Sequence, residues 1–141
     1  MTEAVEPEFW LGVEQFNQRQ FYACHDTLEA IWMEAMEPQK TFYQGIIQIA
    51  VALYHLSNQN LRGATILLGE GLNRLRRYPP TYAGVAVSEL VNQSLEWLAL
   101  LQQTQPEEIA ELANLVIHGN PDDSSATGTL TLPRISRVEI P

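Results

Sequence analysis

The sequence predicts an all-α fold: a single-domain array of about five to six helices built from helix-turn-helix pairs, with an extended C-terminal tail. Three observations support this fold class. Apolar residues recur at helical spacing over most of the chain, polar turns and prolines separate these segments, and strand-like alternation is confined to the last residues. At 141 residues, 45% of them hydrophobic, the chain suits one domain with one core. We assign residues 1–120 to the helical domain and residues 121–141 to a linker and tail.

Six helical segments are predicted, each bounded by turn or proline signals. They run over Glu8 to Gln18, Phe21 to Met36, Thr41 to Leu56, Leu61 to Arg77, Val85 to Gln103, and from Pro106 to the stop at Gly119. Pro38 ends the second segment, and Asn60 is placed to cap the fourth. Pro106, followed by two glutamates, is typical of the first turn of a helix.

A weak internal repeat links the first two helix-turn-helix units. The stretch from Asn17 through Cys24 resembles the stretch from Ser57 through Ala64 at a spacing of 40 residues. Because only two copies are recognisable, the repeat does not predict a true solenoid. Within the fourth segment, Gly71 lies on the apolar side, where its missing side chain would let another helix approach closely.

The charge distribution argues against nucleic-acid binding as the main role. The formal net charge is −9, and the first 37 residues hold eight acidic residues against one base, Arg19. Such a surface repels a polyphosphate, so we expect no nucleic acid as a partner. The one basic cluster, Arg74, Arg76 and Arg77, falls at a helix end, where cations complement the helix dipole.

Cysteine usage and hydropathy lead us to expect a cytoplasmic protein that does not cross a membrane. The single cysteine, Cys24, excludes an internal disulfide, and its apolar neighbours on the helix predict a small buried side chain rather than a nucleophile. The N-terminal residues lack the pattern of a signal peptide. No apolar stretch reaches membrane-spanning length without a polar break.

The last residues read as a linker followed by an extended segment. Asp, Ser, Thr and Gly dominate Pro121 to Gly128, and residues 129–141 alternate partially between apolar and polar. Five aliphatic residues of the tail would otherwise be exposed. The alternatives are a tail that lies along its own domain, one that adds an edge to a protein partner or to a second copy in a homodimer, and one that stays disordered; we expect docking on its own domain or on a second copy.

Two stripes of polar side chains on consecutive helices form the candidate functional site. Residues three, four and seven positions apart share one helical face. The binding or polar-network candidates selected in this way are His25, Glu29, Trp32, Gln44, Gln48 and His55. His25 and Glu29 are predicted neighbours at the edge of the core, close enough for a hydrogen bond.

The second stripe leaves three interpretations open. Gln44, Gln48 and His55 form a solvent-facing strip, a buried network that satisfies His25 and Glu29, or part of a ligand or metal site. In the metal interpretation His25, Glu29 and His55 would bind a divalent ion, because two imidazoles and a carboxylate suit zinc or iron. The spacing does not contain the His-Glu-x-x-His signature, and no nucleophile or phosphate-binding loop accompanies these residues.

The motifs around these stripes are similar to those of a known family. Phe21-x-x-x-His25-Asp26-x-x-Glu29-x-x-Trp32, then Gln44-Gly45-Ile46-Ile47-Gln48 up to His55, then Asn60-x-x-Gly63-Ala64, resemble the domain of unknown function 309 family. The resemblance covers about Phe9 to Arg77 and implies an all-α array of about five helices with no established activity. The six candidate residues are the matching motif positions. Two departures are Asp26, where the family more often has Glu, and Gln18-Arg19-Gln20, where it usually has a glycine.

The sequence thus favours a binding or interaction module of unknown ligand. The alternative is a metal-dependent hydrolase-like enzyme that uses His25, Glu29 and His55, and the sequence does not decide whether any reaction is catalysed. The binding interpretation predicts an exposed groove or apolar patch near Trp32. The enzyme interpretation predicts a closed pocket with convergent ligands.

Overall fold

The predicted all-α class is confirmed. The computed structural model describes residues 5–118 and 131–138, and this part of the chain contains six α-helices, one 3-10 turn and one two-stranded ribbon. The α-helices are α1 Pro7–Asn17, α2 Phe21–Glu34, α3 Gln39–Ser57, α4 Leu61–Leu75, α5 Val87–Gln103 and α6 Ile109–His118. The 3-10 turn is Pro106–Glu108, and the strands are β1 Thr81–Tyr82 and β2 Val85–Ala86. Helices α2 and α4 each end two residues before the predicted boundary.

Helix α3 is the centre of the array. It packs against α4, α2 and α6, while α1 packs on α2 and α5 packs on α4. Phe42, Ile46, Ile49 and Leu53 on this helix are completely or almost completely buried. A helix with so much apolar surface is stable only when it is enclosed by neighbours, which explains its central position.

Two glycines set the close contact between α3 and α4. A Cβ atom built at Gly71 would lie 2.8 Å from the carbonyl oxygen of Gly45, and one at Gly45 would lie 2.8 Å from Leu75 side-chain atoms. The close approach predicted from Gly71 is therefore confirmed, and its partner is α3. This contact brings Gln48 against α4.

The 40-residue repeat corresponds to two matching turns. Arg19 and Gln59 occupy the same position in each copy, and both adopt the left-handed conformation, with φ of 64° and 60°. In each copy the next residue donates its backbone N–H to the carbonyl five residues earlier, Gln20 to Gln15 and Asn60 to His55, at 2.8 Å. These bonds satisfy carbonyl groups in the last turn of each preceding helix. The predicted cap is also present, since the Asn60 side chain accepts a hydrogen bond from the Gly63 amide at 2.9 Å.

The short ribbon between α4 and α5 is not predicted by the sequence. Strands β1 and β2 pair in antiparallel register through Thr81–Ala86 and Tyr82–Val85. Ala83 and Gly84 between them have positive φ, as a tight two-residue hairpin turn requires. Two-residue strands are too short for a periodicity signal, so the predicted fifth helix began at Val85 instead of Val87.

The C-terminal segment 131–138 docks on its own domain, one of the three predicted arrangements. Leu132 and Ile135 are buried, and the Trp97 indole donates to the Thr131 carbonyl at 2.7 Å. The Asn17 side chain exchanges two hydrogen bonds with the backbone of Ile135, at 2.8 and 2.9 Å. The predicted linker at residues 121–128 lies outside the described residues.

Candidate functional site

The α2 stripe begins with a histidine between two carboxylates. The His25 Nε2 atom lies 3.0 Å from Glu29 Oε2, and its Nδ1 atom lies 3.2 Å from Asp26 Oδ1. The imidazole is 27% exposed and the Glu29 side chain is 49% exposed. A neutral imidazole donates from only one nitrogen, so one of the two carboxylates accepts from it at a time. The predicted neighbour pair is therefore present, on the surface rather than in a closed pocket.

Trp32 links the end of α2 to the start of α3. The Lys40 ammonium lies 4.4 Å from the centre of the Trp32 ring and donates a hydrogen bond to the Trp32 carbonyl at 2.8 Å. The lysine is a second donor to this carbonyl in the last turn of α2, which also accepts from the Ala35 amide at 3.1 Å. The indole Nε1 atom is buried and has no hydrogen-bond partner among the described residues.

The α3 stripe turns toward α4 rather than toward His25. Gln48 accepts a hydrogen bond from the Arg74 guanidinium at 3.0 Å and donates to Glu70 at 3.3 Å. His55 Nδ1 lies 3.3 Å from Asn60 Nδ2, which is placed to donate to it, in the turn before α4. Gln44 is half-buried, one turn before Gln48. Arg74, assigned from the sequence to helix-dipole compensation alone, also holds Gln48.

The two stripes share one side of the array but not one set of contacts. On α3 the polar stripe lies opposite the fully buried Phe42 and Leu53, and its members are half-exposed. Helix α2 meets α3 on this side through the Tyr22 and Tyr54 rings, whose centres are 5.3 Å apart. We call the solvent side of α2, α3 and α4 the motif face; it carries His25, Glu29, Trp32, Gln44, Gln48 and His55.

The candidate metal ligands do not form a ligand group. Within the described part of the chain, which includes His25, Glu29 and His55, there is no group of three or more His, Cys, Asp or Glu side chains that could hold a metal ion. His25 and Glu29 meet, while His55 pairs with Asn60. The metal-dependent hydrolase hypothesis stays a prediction that gains no support from this arrangement.

Cys24 behaves as a core residue. Its side chain is fully buried on α2, and burial raises the pKa of the thiol to about 12. Since the thiolate is the reactive form, a thiol with this pKa is a poor nucleophile at neutral pH.

The structure contains a second surface feature, a groove, whose lining residues the sequence did not identify. A groove of about 640 Å³ lies on the other side of α2, and its lining includes Glu6, Glu8 and Glu34. The corresponding signal in the sequence is the acidic excess of the first 37 residues, which by itself argues only against nucleic-acid binding. Sequence reasoning could not select these three glutamates, because the contact between the start of α1 and the end of α2 is a tertiary one.

The resemblance to the family is confirmed over the first part of the chain. The model of the family described as "Domain of unknown function (DUF309)" matches residues 9–67, a stretch that runs from α1 through α2 and α3 into the first half of α4. "Uncharacterized protein YpuF" from Bacillus subtilis (strain 168) is 38% identical over 65 residues. That match covers 45% of this chain and 37% of the relative's length. The structure adds that no helix among the described residues is long and apolar enough to cross a membrane.

Proposed function

We propose that this protein is a protein-interaction module and that the motif face is its binding surface. One observation carries the proposal: the motif side chains share one half-exposed face yet pair in separate local contacts. A catalytic centre needs groups that converge on one reacting atom within about 3 Å. A recognition surface needs instead a broad face whose side chains are held in place before the partner arrives.

The composition of the motif face suits protein recognition. Tyr22 and Tyr54 are large exposed side chains in mutual contact, and Met33, one turn after Glu29, is 66% exposed. Tyrosine and methionine are enriched at the centres of protein interfaces, where they supply contact area. His25, beside Tyr22 at a ring distance of 5.9 Å, adds a polar group at the edge of this apolar contact area.

Site-specific photo-crosslinking in the native host tests this function. A photoreactive residue at Val51, which is half-exposed between Gln48 and His55, should give a discrete crosslinked product. The same residue at Glu111, on the exposed side of α6, should not. Equal products from both positions, or none from Val51, would contradict the proposal.

A matched pair of charge-introducing variants makes the test specific. Tyr22→Arg alters the motif face, whereas Leu11→Arg introduces the same charge at an exposed apolar residue of α1. Both side chains are at least half exposed, so both variants should fold, and thermal unfolding checks this. The Val51 product should disappear in Tyr22→Arg and persist in Leu11→Arg; loss in both variants would point away from the motif face.

A further inference from the structure

The groove on the other side of α2 is a second surface feature, separate from the motif face. It opens between the start of α1, the end of α2 and the start of α3, and its volume is about 640 Å³. Its lining consists of Glu6, Glu8, Ala30, Ile31, Glu34, Ala35, Met36, Gln39 and Tyr43. This volume lies within the range of sites that bind small ligands or anchoring side chains.

The groove has an apolar wall and an adaptable edge. Ile31 and Tyr43 are buried at its base, and burial raises the pKa of the Tyr43 phenol, so this ring stays neutral. Met36 at the edge is 82% exposed. Flexible, polarisable methionine side chains adjust to different apolar partners and are common on surfaces that bind amphipathic segments.

Among the described residues, no cation forms a salt bridge with the carboxylates of the groove. Neither lysine nor arginine lines the groove, and the salt bridges found among the described residues both involve His25. The nearby Lys40 is held over the Trp32 ring. The carboxylate of Glu37, close in sequence to Glu34, does have donors: the backbone amide and the hydroxyl of Thr41 both donate hydrogen bonds to it. These bonds lower the pKa of the Glu37 carboxyl group. Glu6, Glu8 and Glu34 therefore form an acidic rim that a docking cation would neutralise.

We propose that this groove docks a basic amphipathic segment of a partner protein. An apolar side chain of that segment packs on Ile31, Ala35 and Met36, while lysine or arginine side chains on either side of it pair with the acidic rim. Charge complementarity selects this occupant, since an acidic or purely apolar segment would leave the three carboxylates unpaired or desolvated. The proposal goes beyond the motif face, because it concerns another surface and names the chemistry of the partner.

A second copy of this chain fits the groove less well. Its basic cluster at the end of α4 includes Arg74, which is held by Gln48. Helix α4 ends at Leu75, so Arg76 and Arg77 do not continue into an amphipathic helix. A partner with a basic helical segment is therefore the better match.

Fluorescence anisotropy with a synthetic peptide tests the site directly. The probe is a labelled helical peptide of leucine and lysine, about 14 residues or four turns long, and its control carries glutamate at every lysine position. Titration with the full chain should give saturable binding of the lysine peptide that weakens as salt increases. The glutamate peptide should not bind. Absence of lysine-peptide binding at physiological salt would overturn the proposal.

Matched charge reversals distinguish the groove from general attraction to an acidic protein. Glu34→Lys in the rim and Glu111→Lys on α6 change the net charge equally, and both side chains are exposed. We expect Glu34→Lys to weaken binding by about tenfold or more and Glu111→Lys by less than about twofold. Equal weakening by the two variants would overturn the site.

Two further variants separate this proposal from its alternatives. Val51→Arg on the motif face should leave peptide binding unchanged, so failure of the motif-face proposal and failure of this one are distinguishable. Arg76→Glu tests the second-copy occupant by analytical ultracentrifugation of the full chain. A concentration-dependent dimer that Arg76→Glu and Glu34→Lys both abolish would overturn the assignment to a partner protein.

Discussion

The motif face and the acidic groove lie on two sides of the same helix, α2, and they differ in whether their polar side chains have partners within the chain. On the motif face His25 pairs with Glu29, and Gln48 is held between Arg74 and Glu70. In the groove, Glu6, Glu8 and Glu34 are exposed and form no salt bridge within the part of the chain that the structure describes. His25, Glu29 and Gln48 on the first surface already have polar partners within the chain, while the second surface leaves charge to be neutralised.

This contrast shows that a dense polar motif and an unsatisfied binding surface need not coincide. Polar groups that already have partners gain little net free energy from a new one. They fix the geometry of the helices that carry them, so the motif face is expected to recognise shape. Unpaired carboxylates beside apolar surface gain from a cation, so the groove is expected to recognise charge.

The largest effect is expected where α3 and α4 touch beneath the motif face. Gly71→Ala places a methyl group 2.8 Å from the Gly45 carbonyl oxygen, and the helices must separate. We expect the free energy of unfolding in urea to fall by about 2–3 kcal/mol. Gly69→Ala is the control, because nothing lies within 4 Å of its Cβ position, and it should gain up to about 1 kcal/mol from helix propensity. A tolerated Gly71→Ala would mean that α3 and α4 do not pack as closely as described.

The next effect separates the two glutamines of the α3 stripe. Gln48→Ala removes the acceptor of Arg74 and the donor to Glu70, and should cost about 1–2 kcal/mol of unfolding free energy. Gln44→Ala, one turn earlier and also half-buried, should cost less than about 0.5 kcal/mol. If denaturant titration gave equal losses of unfolding free energy for the two variants, the contacts of Gln48 with α4 would not contribute to stability as described.

A smaller effect is expected at His25. His25→Ala removes both carboxylate contacts, yet the Asp26 and Glu29 side chains are 63% and 49% exposed and are screened by solvent. The loss should be below about 0.5 kcal/mol at low salt and should shrink further in 0.5 M salt, where the Debye length is only about 4 Å. A salt-independent loss of several kcal/mol in thermal unfolding would instead indicate the buried polar network of the second interpretation.

The smallest effect, and one of opposite sign, is expected in the groove. Glu34→Gln removes a carboxylate that forms no salt bridge with any described residue, in a chain of net charge −9. The melting temperature should stay the same or rise slightly, because repulsion among like charges decreases. A marked drop in the melting temperature would mean that Glu34 has a stabilising partner, and it would contradict the description of the acidic rim as a set of unpaired carboxylates.

The elements that sequence could predict are those with local signals. Pro38, Asn60 and the apolar spacing located four consecutive helices, and the 40-residue offset anticipated that Arg19 and Gln59 occupy equivalent turns. The hairpin at residues 81–86 escaped prediction, since its two-residue strands have no period. The site was predicted in part: the spacing placed His25 beside Glu29, but the partner of Gln48 depends on Gly71, which lets α4 approach. Contacts of that kind arise from packing between helices and are not encoded in the spacing along one helix.

A double-mutant cycle between His25 and His55 tests the central claim most directly, namely that the motif residues pair separately on a recognition surface. Unfolding free energies of His25→Ala, His55→Ala and the double variant should be additive within about 0.3 kcal/mol. The cycle Gln48→Ala with Arg74→Ala, measured in the same way, should show coupling of about 1 kcal/mol, because these side chains are 3.0 Å apart. Coupling above about 1 kcal/mol between His25 and His55 would contradict the account and would place the two stripes in one convergent site.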